Sequence, residues 1–156
     1  MRGETDAMSA QQIQGMEDFV DTGCAACHSG PMFSDFETHV LGVSEANGLN
    51  TPDTGDGEFG FRTPSLRQLA FTAPYFHGGQ ETTLDDVIDF YDNPGQSNNP
   101  NVPTNALDND FRDLPNINGQ TANRIEQFLN ALSDDQFDRS RPTTVPSGLS
   151  VGGSIE

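Results

Sequence analysis

One pentapeptide constrains this chain more than any other feature. Its only two cysteines stand in Cys24-Ala25-Ala26-Cys27-His28, the C-x-x-C-H spacing of c-type haem attachment. Two thiols about one turn apart can each add to a haem vinyl group, and the adjacent imidazole then lies beneath the iron as proximal ligand. Three other uses of the same residues compete less well. A redox dithiol calls for a strand before the motif and a helix after it, whereas here a helical pattern precedes and Gly30-Pro31 follows. Zinc would need two further ligands from His39 and His77, which no second Cys pair or His-x-x-x-His joins. A disulfide between residues this close would shut too small a loop to stabilise much.

A large flat cofactor also answers a problem of composition. The chain has 156 residues, room for one domain, yet only 33% are hydrophobic, and 16 Gly and 10 Pro announce long connections. From Ser29 to Arg62 the sequence has little periodicity and reads as an irregular loop anchored by Phe33, Phe36, Val40 and Leu41. So long a loop is uncommon unless it carries function or wraps something that replaces core. The charge is lopsided: 24 acids face 7 Arg, with a formal net charge of -17. That balance disfavours nucleic acid and anionic lipid as partners, and suits either a basic protein partner or plain solubility. No apolar run approaches the roughly 20 residues of a membrane span. The opening MRGETDAMSAQQ lacks the apolar stretch of a secretion signal, so the sequence reads as a mature form or a piece of something longer.

The expected fold is all-α, with about four helices, long loops and an extended C-terminal tail. Ser9-Ala-Gln-Gln has the form of a capping box and opens a helix with Ile13, Met16, Phe19 and Val20 as its apolar stripe, stopping at Gly23. A short helix should follow Thr63, with Pro64 at its first position and Leu66, Leu69 and Ala70 inward. Thr83 opens a third, with Asp85 and Asp86 at the positive end of its dipole and Leu84, Val87, Ile88 and Tyr91 on one stripe. Residues 92–116 read as connection. Thr121 to Leu132 reads as the last helix, with Ile125, Phe128, Leu129 and Leu132 inward. The expected division is a mono-haem domain over 1–132 and an extended or disordered tail over 133–156.

The sixth ligand of the iron is restricted by what the chain lacks. Its four methionines are Met1, Met8, Met16 and Met32. None lies far downstream of the motif, Met16 reads as core, and Met32 is too near His28 to reach the opposite face. His39, His77, Tyr75 and Tyr91 stay open as candidates, as does an unfilled position.

Several stretches in order, GCAACHSGPMFSDFETH, GEFGFRTPSLRQLAFTAPYFHGGQETTLDDVIDFY, IEQFLNAL and FDRSRPTTVPSGL, resemble the C-terminal haem domain of the bacterial di-haem cytochrome c peroxidases, and within them the MauG-like branch. The likeness runs from about Gly15 to Gly148. It implies a cytochrome-c-like fold with His28 as proximal ligand. In the peroxidases the distal ligand is a Met fourteen positions after a His that matches His77, and the corresponding position here is Tyr91; in MauG that ligand is a tyrosine. The resemblance further implies that Arg62 and Arg67 lie near the haem, with forks that suit its propionates. It implies that His77 lies near the distal ligand or a propionate, and that the carbonyls of Thr72 and Pro74 match Ca²⁺ ligands whose remaining protein ligand comes from an N-terminal domain. His39 reads as structural.

The functional expectation is a single covalent haem c with His/Tyr ligation and a low potential, since a phenolate favours Fe(III) over Fe(II). Phe33, Phe61 and Phe76 would surround it. The di-haem enzymes keep their peroxide-reacting haem in the N-terminal half, and this sequence has one C-x-x-C-H. The chain should therefore relay electrons or oxidising equivalents for a peroxidase-like oxidoreductase, to a redox partner, the other haem domain or a second subunit. An open-coordinated haem with its own peroxidase activity and a haem-stabilised assembly subunit are the alternatives. Covalent haem implies a periplasmic or extracellular location in a bacterium.

Overall fold

The structure, a computed structural model, describes residues 6–45, 51–134 and residue 146. The expected tail lies outside the described residues apart from Ser133, Asp134 and Pro146. Among the described residues four α-helices form: α1 (Ala10–Asp21), α2 (Leu84–Tyr91), α3 (Asn109–Arg112) and α4 (Gly119–Asn130). The long loop adds two short strands, β1 (Thr38–His39) and β2 (Phe61–Arg62), paired antiparallel with Thr38 opposite Arg62. The fold is thus mostly helical, as expected, with a small two-stranded sheet that the all-α expectation did not include.

Local chemistry explains where the helices start. Ser9 and Gln12 make the reciprocal capping box expected of them. The Thr83 hydroxyl accepts from the Asp86 amide, with Asp85 and Asp86 in the first turn of α2. Asn118, which sequence reasoning passed over, caps α4 through the Gln120 and Thr121 amides, so that helix begins two residues before the expected Thr121. The helix expected after Thr63 does not form. That segment has no regular structure over 63–66 and turns at Arg67 and Gln68; the φ of 66° at Gln68 lies in the left-handed region and interrupts helical progression, and a single 3-10 turn follows at Leu69–Phe71. The fourth helix is instead α3, within the stretch read as connection.

Helix α1 lies against α4, and here the expected apolar stripe is partly wrong. Phe19 is buried, but Ile13, Met16 and Val20 are 39%, 40% and 57% exposed. The contact is made through Gly15, where an added Cβ would sit 1.9 Å from the Arg124 carbonyl oxygen. The Asp18 carboxylate takes Arg124 in two bonds one turn on, and Gln11 donates to Asn123. Met16 is therefore a half-exposed surface residue and not core.

The apolar residues divide into two clusters. One gathers Phe19 and Leu69 with Leu84 and Ile88 of α2 and Ile125, Phe128 and Leu129 of α4. The other holds Phe90, Val102, Leu107 and Phe111. Tyr91 packs against both, and the space it borders is the candidate site.

Candidate functional site

Gly23, with φ of 82°, turns the chain out of α1. Its Cβ would meet Leu114 at 2.9 Å, so glycine is required there by both conformation and space. One 3-10 turn follows over Cys24–Ala26, and the His28 amide bonds the Cys24 carbonyl. Cys24, Cys27 and His28 thereby line one wall of a cavity of about 570 Å³, within the roughly 300–1,000 Å³ typical of cofactor sites. Leu41, Val43, Leu84, Val87, Ile88 and Leu129 supply much of the remaining lining.

His28 is presented as a metal ligand needs to be. Its Nδ1 lies 3.0 Å from the Phe33 carbonyl oxygen. A carbonyl only accepts, so Nδ1 carries the proton and Nε2 keeps its lone pair. Burial lowers the imidazole pKa below the ordinary histidine value, against the opposing pull of the Phe33 carbonyl and Asp35. The neutral, ligating form is thus favoured.

The cysteines do not behave as a redox dithiol. Both are free. Burial raises the Cys24 thiol, and burial together with Asp35, Asp110 and Asp108 pushes Cys27 up to about 11. A dithiol oxidoreductase needs the opposite shift. Among the described residues, the grouping of metal-capable side chains is Cys27, Asp35 and His39, short of a four-ligand zinc set.

Of the four distal candidates, two are engaged elsewhere. His39 offers Nδ1 to Asp108 at 2.6 Å and Nε2 to Asp35 at 2.9 Å, so both ring nitrogens are taken by carboxylates. Burial would lower its pKa, but the two carboxylates outweigh that and raise it. The Tyr75 hydroxyl donates to the Leu69 carbonyl at 2.9 Å. His77 lines the cavity with its ring stacked on Phe61 at 3.7 Å and 11°. Tyr91 also lines it, held edge-on by Phe90 and Phe111 at 5.3 and 5.9 Å. Burial pushes its phenol far above the ordinary tyrosine value, and Cys24 and Cys27 add to the rise. Tyr91 thus brings a phenol to a lining that is otherwise largely apolar.

The cations come to the same rim. Arg62 and Arg67 both line the cavity, and neither pairs with a carboxylate among the described residues; they donate to the carbonyls of Phe36 and Pro31. Thr72 and Pro74 line it too, on either side of Ala73, where the Ala73-Pro74 peptide is cis. Phe61 and Phe76 line the space as expected. Phe33 instead packs edge-on to Phe19 and Phe128 in the first cluster. Asp35 and Asp108, which fix His39, were not foreseen: Asp108 is 69 positions away, and Asp35, only four away, lies in the irregular loop, where no periodicity marks the contact. The residues fit a haem: two protonated thiols and a neutral imidazole share an apolar space of suitable size with a phenol and two guanidinium groups.

No family model matches the sequence. Individual proteins do. The chain is 31% identical to cytochrome-c peroxidase IdrP2 of Denitromonas iodatirespirans over 92% of its own length and 45% of that protein's. It is 36% identical to the methylamine utilization protein MauG of Methylorubrum extorquens over 60% of this chain and 28% of MauG. It is 35% identical to cytochrome c551 peroxidase of Pseudomonas aeruginosa over 56% and 29%. Among solved structures, a MauG-like protein associated with microbial copper homeostasis superposes with a TM-score of 0.66 over 82% of this chain and 45% of its own, at 23% identity. Hydrazine synthase of Kuenenia stuttgartiensis gives 0.55 over 82% and 48%, at 24% identity; these two likenesses speak to the fold. The chain spans under half the length of the curated relatives it matches. With a fold and a sequence in common over that span, this chain belongs to the bacterial di-haem cytochrome c peroxidase and MauG family, a family of haem-dependent, peroxidase-like oxidoreductases.

Proposed function

We propose that the chain is the mono-haem, electron-relaying half of a MauG-like oxidoreductase, corresponding to the C-terminal haem domain of its relatives. Cys24 and Cys27 would hold haem c through thioether bonds, and His28 and Tyr91 would be the residues that ligate its iron. The observation that carries this is the sharing of one apolar cavity by the motif residues and Tyr91. Bound haem supplies one-electron redox chemistry at its iron. The protein's own residues do the rest. His28 holds its proton at Nδ1 on the Phe33 carbonyl and presents Nε2. As a ligand Tyr91 would be the phenolate, an anionic donor that favours Fe(III) and a low potential. Arg62 and Arg67 balance propionate charge at the rim. The apolar lining excludes water. His77, flat against Phe61, borders the distal side. The carbonyls of Thr72 and Pro74 serve a Ca²⁺ only when a further ligand arrives from outside the chain.

The partner is a redox protein with a basic surface, drawn by the acidic excess, or the haem domain that the relatives carry in their remaining length. The location is periplasmic or extracellular, where c-type haem is attached; no helix of the described residues is long and apolar enough to cross a membrane.

The test is co-expression with a c-type haem maturation system. Wild type should gain the mass of one haem, and Tyr91→Phe should change the ferric spectrum and raise the reduction potential. An unchanged Tyr91→Phe spectrum refutes the distal assignment, and a colourless wild type refutes the whole reading. Cyanide binding at ordinary rates with peroxide turnover by wild type would instead establish an open, peroxidatic haem.

A further inference from the structure

The loop after the motif is held by an unusual arrangement. Three successive carbonyls, of Pro31, Met32 and Phe33, each accept from a side chain. Arg67 donates Nε and Nη2 to Pro31 at 3.0 and 2.9 Å, the Ser65 hydroxyl donates to Met32 at 2.8 Å, and His28 Nδ1 donates to Phe33 at 3.0 Å. The first two donors come from the segment that follows β2, more than thirty residues away, and they are linked to each other, since the Arg67 amide donates to the Ser65 oxygen at 3.1 Å. Arg67 also lies over the Phe33 ring, 5.0 Å from guanidinium carbon to centroid. Phe33 needs such support. Its φ of 52° is in the left-handed region, where a bulky residue stays only if its surroundings force it.

We propose that Arg67, with Ser65, is a positioning residue for His28. It acts through the 31–33 loop, by locking Phe33 in the conformation that aims its carbonyl at Nδ1. This rests on His28 being the proximal ligand. A ligating imidazole whose other nitrogen donates to a carbonyl is fixed in plane and is a stronger donor to the metal. Loosening the loop weakens that bond, leaves Nε2 a poorer donor and destabilises Fe(III) relative to Fe(II). The role differs from charge neutralisation at the rim, because it depends on the forked geometry of the guanidinium and not on its charge. Lysine keeps the charge and cannot make both bonds to Pro31.

The experiment compares holoprotein wild type, Arg67→Lys, Arg67→Met and Ser65→Ala, by reduction potential and by ferric electron paramagnetic resonance, which reports the axial field and imidazole orientation. Arg112→Lys, which keeps the charge of an exposed arginine bonded to Asn109 and outside the cavity lining, is the reference. Positioning predicts that Arg67→Lys shifts the potential upward, that Ser65→Ala shifts it the same way by less, that Arg67→Met, which also removes a positive charge at the rim, falls below Arg67→Lys, and that all three change the spectrum. Arg67→Lys and the reference both matching wild type would overturn the proposal in favour of a charge effect; so would a silent Ser65→Ala. If Arg67→Met does not accumulate, the two milder variants decide alone. Failure of the underlying reading looks different: wild type itself would then lack covalent haem or a histidine-ligated spectrum.

Discussion

Replacing Gly15 by alanine tests the packing that places the motif. Alanine is the better helix former by about 1 kcal/mol, so helix propensity alone predicts a gain in stability. The structure predicts a loss. The new Cβ would stand 1.9 Å from the Arg124 carbonyl oxygen and 2.6 Å from its carbon. Both are backbone atoms inside α4, which cannot rotate away as a side chain end would. Real contacts of this kind essentially never close below 3.0 Å, so the two helices must part by about 1 Å at their crossing. Overpacking of this sort costs roughly 1–3 kcal/mol and sometimes more, and a clash with backbone belongs at the upper end. Even after the propensity gain, a net loss of about 2 kcal/mol remains. For a chain of this size that lowers the melting temperature by roughly 4–8 °C. Because α1 runs directly into Gly23 and Cys24, the displacement also reaches the haem wall. Thermal unfolding of holoprotein followed by far-ultraviolet circular dichroism, with the ferric spectrum recorded beside it, gives both readouts. A Gly15→Ala protein as stable as wild type or more so would refute the close helix crossing.

Two further changes probe other parts of the fold. His39→Gln should cost at most about 1 kcal/mol, as expected for partly exposed ion pairs. Its pH dependence has a definite shape. The folded pKa of His39 is raised, so its contribution is complete below the unfolded value near 6.5 and fades as pH rises through the folded value. The folded pKa of Asp35 is lowered, so its contribution holds above its ordinary value near 3.8 and fades as pH falls through the folded one. The stability difference between wild type and His39→Gln in urea titrations should therefore be greatest near pH 5 and shrink by pH 9; a difference that grows toward alkaline pH contradicts the two-carboxylate clamp. Phe128→Ala removes a ring that is 1% exposed and packed against Phe19 and Phe33, and should cost about 3–5 kcal/mol by denaturant unfolding; a loss under about 1 kcal/mol would contradict its central place.

What the sequence made legible were features whose physics is local. Ser9 with Gln12 and Thr83 with Asp86 announce helix starts because a cap is satisfied within four residues. The C-x-x-C-H spacing marks a candidate site for a similarly local reason, since its three side chains lie within five residues. Non-local features were hidden. Gly15 contributes to the core by having no side chain, so no apolar pattern could reveal it. The segment after Thr63 looked helical by its proline and leucines, yet Ser65 and Arg67 spend their donors on carbonyls of the 31–33 loop and Gln68 turns left-handed. Helix α3 is four residues long within an Asn-, Pro- and Asp-rich stretch, too short for periodicity to register. The role of His39 depends on Asp108, which only the folded chain brings near.

The two apolar clusters would give a haem bound between them a structural role alongside the proposed redox one. Among the described residues Tyr91 is the one that packs against both, and it lines the cavity. The first cluster draws on α1, α2 and α4, and the second on the end of α2 and residues 102–111. A chain only 33% hydrophobic cannot fill so large a space with side chains, and an unfilled apolar cavity forfeits contacts on every face. A covalent planar group would supply those contacts to both clusters at once, and it stabilises the folded state whenever it packs there better than in the unfolded chain. The double change Cys24→Ala, Cys27→Ala should thus do more than remove colour. It should lower cooperativity, with the region around Phe90, Val102, Leu107 and Phe111 losing amide-exchange protection before α1 and α4, which keep their own direct contact through Gly15 and Arg124. Exchange measured by mass spectrometry decides the point. Protection lost evenly, or first from α1 and α4, would mean that the clusters do not depend on what fills the space between them.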